Sequence, residues 1–135
     1  MPVKGRILGI DPGQRRVGLA LSDPLGVTAQ SLDTFDRRSG NLLDHIGKII
    51  GDNDVQMVVV GHPLSMSGRP NESSLRSEKL AKEITKSLGI EVVLWDERLT
   101  SVEAKRLTAG TRASKGSIDK IAAVLILQGY LDSLS

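Results

Sequence analysis

Cysteine is missing from all 135 residues, which excludes disulfides and thiolate metal sites and is compatible with a reducing compartment. Aromatic residues are almost missing as well: Phe35, Trp95 and Tyr130 are the only three. So few rings cannot build the stacking platforms of many single-strand binders. Any contact with nucleic acid should therefore fall mainly on phosphates. No apolar run approaches a membrane span, and the opening MPVKGRILGID has no stretch long enough for a signal peptide. The expectation is a cytoplasmic protein without a membrane partner. No internal repeat, low-complexity segment or linker interrupts the chain, whose length fits one domain over residues 1–135.

What is present is ordinary for a globular core, 39% hydrophobic and 25% charged residues. The net charge is only +2, so the tilt toward an anionic partner lies in its distribution. Between Arg98 and Lys120 six bases stand against two acids, whereas Ser31 to Asp54 holds three bases and five acids. Positive charge gathers in the C-terminal third.

Strand-like runs come first, at Arg6–Ile10, Val17–Leu21 and Thr28–Phe35, joined by compact turns carrying Pro12, Gly13, Pro24 and Gly26. Helical spacing over Leu42–Ile50 leads to a buried-strand pattern at Val55–Val60. A helix is predicted over Glu72–Leu88, ending at Gly89. A strand at Ile90–Trp95, a short helix at Thr100–Thr108 and a longer one at Ser117–Leu131 follow. The order β-β-β-α-β-α-β-α-α predicts an α/β fold, one mixed sheet with helices on its faces. Ligands of such sheets tend to sit beyond the carboxyl ends of the parallel strands.

Three acids fall at such ends or at a helix start. In GIDPGQRRVGLALSD, Asp11 stops an apolar run beside a Pro-Gly turn; it serves either as turn chemistry or as a strand-end ligand. Asp96-Glu97-Arg98 leaves the strand EVVLW, either as an exposed loop with a weak Glu–Arg pair or as a pair of site acids. Thr100-Ser101-Val102-Glu103 matches a capping box, which accounts for Glu103 structurally. Asp119 opens SIDKIAAVLILQGYL, a segment apolar almost all round. Either Ser117 caps this helix and Asp119 meets its dipole, or the carboxylate is buried and must be paired or metal-bound.

Oxygen-only ligands favour Mg²⁺ or Mn²⁺ over zinc. Two such ions about 4 Å apart can activate a water and stabilise the leaving oxygen of a phosphodiester. Arg15, Arg16 and the basic C-terminal third, including Arg98 and Lys115, could hold the flanking phosphates.

Four stretches carry a family resemblance. GIDPGQRRVGLALSD, VVVGHPLSMSG, WDERLTSVEA and KGSIDKIAAVLILQGYL resemble, in order and nearly end to end, the motifs of the YqgF/RuvX family. That family has an RNase H-like fold and is linked to Holliday junction resolution and to 5′-end processing of pre-16S rRNA. The resemblance implies a five-stranded sheet of order 3-2-1-4-5 and a metal-dependent nuclease. It implies catalytic and metal-holding acids at Asp11, Glu97 and Asp119, with Asp96 beside them as a ligand or a supporting partner. His62 and Ser67 depart from the family pattern, and His62 reads as a loop polar group. The implied partner is nucleic acid, precursor rRNA ahead of branched DNA. Symmetric junction cleavage would require a dimer, so monomer and homodimer both stay open. Two other readings fit parts of the sequence. Asp11-Pro12-Gly13 with Gly18 also resembles the first phosphate loop of sugar kinases, but one domain leaves no second half to clamp a nucleotide. The other rival is a non-catalytic nucleic-acid-binding module.

Overall fold

A computed structural model describes residues 5–65, 67–97 and 115–134, with side chains in the last stretch from residue 121 onward. The strands are β1 (Arg6–Pro12), β2 (Arg16–Ser22), β3 (Ala29–Ser31), β4 (Phe35–Asp36), β5 (Val55–His62) and β6 (Glu91–Asp96). The helices are α1 (Leu42–Asn53), α2 (Glu72–Leu88) and α3 (Lys115–Ser133), with a 3₁₀ turn at Arg37–Ser39. The expected helix at Thr100–Thr108, the Thr100/Glu103 capping box and Arg98 lie outside the described residues. Among the described residues, no helix is long and apolar enough to cross a membrane.

The sheet runs β3-β2-β1-β5-β6, with β4 also on β2. β1 and β2 are antiparallel; β5 and β6 join parallel to β1. The predicted order holds with one correction: the third strand is two. Ser31 faces Ala20 and Phe35 faces Val17, so four steps along one strand match three along the other. The surplus residue is a bulge, and it reverses which face the following side chains reach. That reversal sends Phe35 into the core beside α1, where it stacks on His45 at 4.5 Å.

Helices α1 and α2 each have a visible stop. Asp54 takes a left-handed conformation (φ 52°) and donates its N–H to Ile50, closing α1 three residues beyond the predicted end. Gly89 does the same for α2 at φ 62°, and Asn71 and Ser74 form a reciprocal cap at its start. α3 is already helical at Lys115, so Ser117 sits inside the helix and not at its cap.

Two apolar layers hold the sheet. On one face Leu8, Ile10, Leu19, Val58 and Val60 pack with Ile46 of α1 and Leu80 and Ile84 of α2. On the other, Ile7, Ala20 and Val59 meet Ala123, Ile126, Leu127 and Leu131 of α3. Alternation along each strand assigns every residue to one of these faces.

Candidate functional site

In β1, Ile7 faces α3 and Leu8 and Ile10 face α1 and α2, so Gly9 and Asp11 lie on the α3 side. Asp11 pairs with Gly18 of β2. Continuing the register of Ile10 with Val60 by one residue brings Asp11 alongside Gly61 of β5. The half-buried carboxylate of the central strand thus has glycine on both flanking strands. Neither neighbour in the sheet contributes a side chain of its own, and over Gly61 the space is taken by Ile126 of α3 and by Glu97.

Glu97 follows β6 directly. A Cβ placed on Gly61 would stand 3.4 Å from the Glu97 carboxyl carbon and 2.5 Å from Ile126 Cδ1. The Glu97 carboxyl therefore lies over Gly61, on the face and at the strand end that Asp11 occupies. Asp96 has the opposite parity: it pairs with His62 in register, on the side of Val92 and Leu94 that α2 covers. Of the two adjacent acids, Glu97 shares the glycine hollow with Asp11.

Helix α3 brings its N-terminal end to the same place. Tyr130 donates to Met57 Sδ near the start of β5, while Ile126 packs on Gly61 near its end. Decreasing residue number in α3 thus runs toward the carboxyl ends of the parallel strands. Gly9 lies 3.4 Å (from its would-be Cβ) from the Ala123 carbonyl oxygen. Asp119 is four residues, about 6 Å, before Ala123, and Asp11 is two residues, about 6.6 Å, beyond Gly9. The backbone places Asp119 at the end of α3 that approaches Asp11; its side chain and that of Lys115 lie outside the described residues. Among the described residues, no group of three or more His, Asp or Glu side chains is assembled to hold a metal ion.

The expected phosphate-binding arginines separate. Arg16 starts β2 with the parity of Gly18, on the Asp11 face. Arg15, exposed in the turn, stands 3.6 Å from Asp36, which Arg38 also engages at 3.2 Å. His62 is held by Glu78 of α2, Nε2 to Oε2 at 3.1 Å, on the face away from Glu97. Ser67 closes a short loop, its hydroxyl 2.9 Å from that of Ser65, and Gly68 N–H donates to the Ser65 carbonyl. A second acid of the first motif, Asp23, is structural. Its carboxylate accepts from the N–H groups of Val27 and Thr28, and these bonds hold its pKa below the ordinary range.

Sequence reasoning missed a basic cleft on the α1/α2 side of the same rim, lined by Gln14, Arg37, Asn41, Arg76, Lys79 and Glu83 among others. Its residues come from three separate segments, and no local motif announces it.

A mixed β3-β2-β1-β5-β6 sheet with acids at the ends of its parallel strands defines a protein of RNase H-like fold. Solved structures with this fold include Thermus thermophilus RuvC in complex with a Holliday junction substrate, with a TM-score of 0.59 at 15% identity over 96% of each chain. The yeast mitochondrial Holliday junction resolvase superposes with a TM-score of 0.57 at 12% identity, covering 97% of this chain and 79% of that one. More particularly, the chain belongs to the RuvX family, whose model, described as Holliday junction resolvase, matches residues 5–133. A relative from Halalkalibacterium halodurans is 42% identical over 94% of this chain and 96% of its own, and one from Clostridium botulinum is 46% identical over 96% and 98%. Both carry the name "putative pre-16S rRNA nuclease".

Proposed function

We propose that this chain is a divalent-metal-dependent nuclease that trims the 5′ end of pre-16S rRNA in the cytoplasm, with Asp11, Glu97 and Asp119 as its catalytic acids. The observation that carries the reading is the glycine hollow: Asp11 between Gly18 and Gly61, with the Glu97 carboxyl above Gly61. Its donors are carboxylate oxygens only, brought together over a sheet position that itself carries no side chain. That chemistry fits Mg²⁺ or Mn²⁺. When bound, two such ions activate a water and stabilise the leaving oxygen of a phosphodiester.

The chain's own residues do the rest. Asp11 and Glu97 present negative charge from rigid strand ends. Gly61 has no side chain of its own, which lets the Glu97 carboxyl lie directly over the sheet. Arg16, on the same face, neutralises a neighbouring phosphate, and Arg98 and Lys115 extend that role. Precursor rRNA is favoured over a four-way junction because relatives above 40% identity, matched over nearly their whole length, bear the rRNA name. The resolvase structures share the fold at 12–15% identity, and a fold carries many functions.

The test is side-by-side cleavage of a precursor 16S leader and a four-way junction in Mn²⁺. Asp11→Asn, Glu97→Gln and Asp119→Asn should each abolish cutting. The loss should exceed the roughly 10–100-fold that removal of an outer-shell partner costs, with the unfolding midpoint retained. A variant that cuts as fast as wild type removes its residue from the mechanism. Cutting of the junction but not the leader replaces the rRNA reading with resolution.

A further inference from the structure

We propose that the basic cleft between α1 and α2 is a second phosphodiester-binding subsite, which holds the strand after it has crossed the β1–β2 turn from the carboxylates. The inference rests on the nuclease reading and adds a path for the substrate.

The cleft has a volume of about 580 Å³ and presents Arg37, Arg76 and Lys79 against the single acid Glu83. Among the described residues, no carboxylate lies within ion-pairing distance of any of the three cations. That distinguishes them from Arg15 and Arg38, which share Asp36. Arg37 is also fixed in place: its Nε donates to the Gly13 carbonyl at 3.0 Å, and its backbone N–H donates to the Arg15 carbonyl at 2.8 Å. One nitrogen anchors the guanidinium to the turn, and the terminal nitrogens remain for a ligand. Burial first, and then the proximity of Arg76, pull its pKa below the usual guanidinium value, with Glu83 pulling the other way. Like charges brought together and partly desolvated are stabilised by an anion between them.

Position identifies the anion. Gln14 lines the cleft and lies three residues beyond Asp11, so the β1–β2 turn is the common wall of cleft and carboxylate hollow. Leu42 and Leu43, the first residues of α1, also border the cleft, so the positive end of that helix opens on it. A phosphodiester strand leaving Asp11 over this turn meets Arg37, then Arg76 and Lys79. With no aromatic ring lining the cleft, recognition is by phosphate and not by base.

Fluorescence anisotropy with a single-stranded RNA in EDTA measures binding without cleavage. The Arg76→Ala/Lys79→Ala double variant should weaken binding about tenfold. It should also flatten the log Kd against log salt slope by about 1.4, the value for two lost contacts to a single strand. In Mn²⁺ the same variant should raise KM and leave kcat. Lys82→Ala/Lys86→Ala, which removes two charges from α2 outside the cleft, should leave the slope unchanged.

Equal losses in the two double variants would mean diffuse charge attraction and overturn the proposal. Complete displacement of the RNA by millimolar inorganic phosphate at fixed ionic strength would also overturn it, since that marks a free-anion site. If Arg76→Ala/Lys79→Ala binds and cuts like wild type while Asp11→Asn is inactive, the subsite falls and the nuclease stands. If wild type neither binds nor cuts any nucleic acid, both fall.

Discussion

The two faces of the sheet are made of different materials. Toward α1 and α2, the central strands present Leu8, Ile10, Val58 and Val60, all fully buried. One residue along, the α3 face offers Gly9, Asp11, Val59 and Gly61, of which only Val59 is a branched aliphatic. The first face fills volume with branched aliphatics, as a core does. The second gives side-chain volume up on either side of Val59, so that α3 can lie close at Gly9 and the Glu97 carboxyl can lie over Gly61. Both faces carry core, but the two-residue period of the strand confines the site acids Asp11 and Glu97 to one of them.

If that division is real, the faces should break differently. The largest loss of stability should come from the filled face: Ile84→Ala removes a fully buried side chain and should cost about 2–5 kcal/mol in denaturant unfolding, with cleavage by the folded fraction unchanged. On the other face the damage comes from adding atoms. A Cβ on Gly9 would sit 2.7 Å from Leu127 Cβ and 3.4 Å from the Ala123 carbonyl, so Gly9→Ala should cost about 1–3 kcal/mol. Gly61→Ala should be milder in stability, about 1 kcal/mol, because the end of the Ile126 side chain can give way. It should nevertheless depress kcat by crowding the Glu97 carboxyl, 3.4 Å from the new methyl. A variant that loses stability without losing kcat would show that Glu97 does not need the hollow.

The smallest effect belongs to neither face. Asp23 ties the β2–β3 turn through backbone N–H groups, and its pKa in the folded state is held below the ordinary 3.8. A lowered carboxyl pKa stabilises the fold above the unfolded value, and that contribution is lost as pH falls below 3.8 through the folded pKa. Asp23→Asn should therefore differ from wild type at neutral pH and converge with it on acidification, as followed by thermal unfolding at stepped pH.

Most of the frame was legible in the residues because local chemistry and global fold agree. Gly89 ends α2 where a left-handed cap is needed, and the apolar run from Val55 is a strand buried on both sides. Asp11 was legible as an acid stopping a central strand. Other features needed pairing across the sheet. The break between β3 and β4 depends on a mismatch of one residue against β2, which no single segment carries. Which acid of Asp96-Glu97 shares the hollow depends on strand parity relative to α2 and α3. The basic cleft draws on Gln14, Arg37 and Arg76, and only the folded chain brings them together. The pairing of Arg15 with Asp36, contributed by the bulged segment, is likewise visible only across the sheet.

The interrupted outer edge next to β2 has one more consequence. Its two pieces are three and two residues long, offset by the extra residue, with exposed Asp33 between them. A neighbouring molecule would find no continuous row of amides there to zip onto, and would have to desolvate an acid to try. Growth of the sheet from this side into fibrils or strand-swapped pairs is thereby discouraged. A twofold assembly that cuts symmetric substrates would not be built by pairing along this edge.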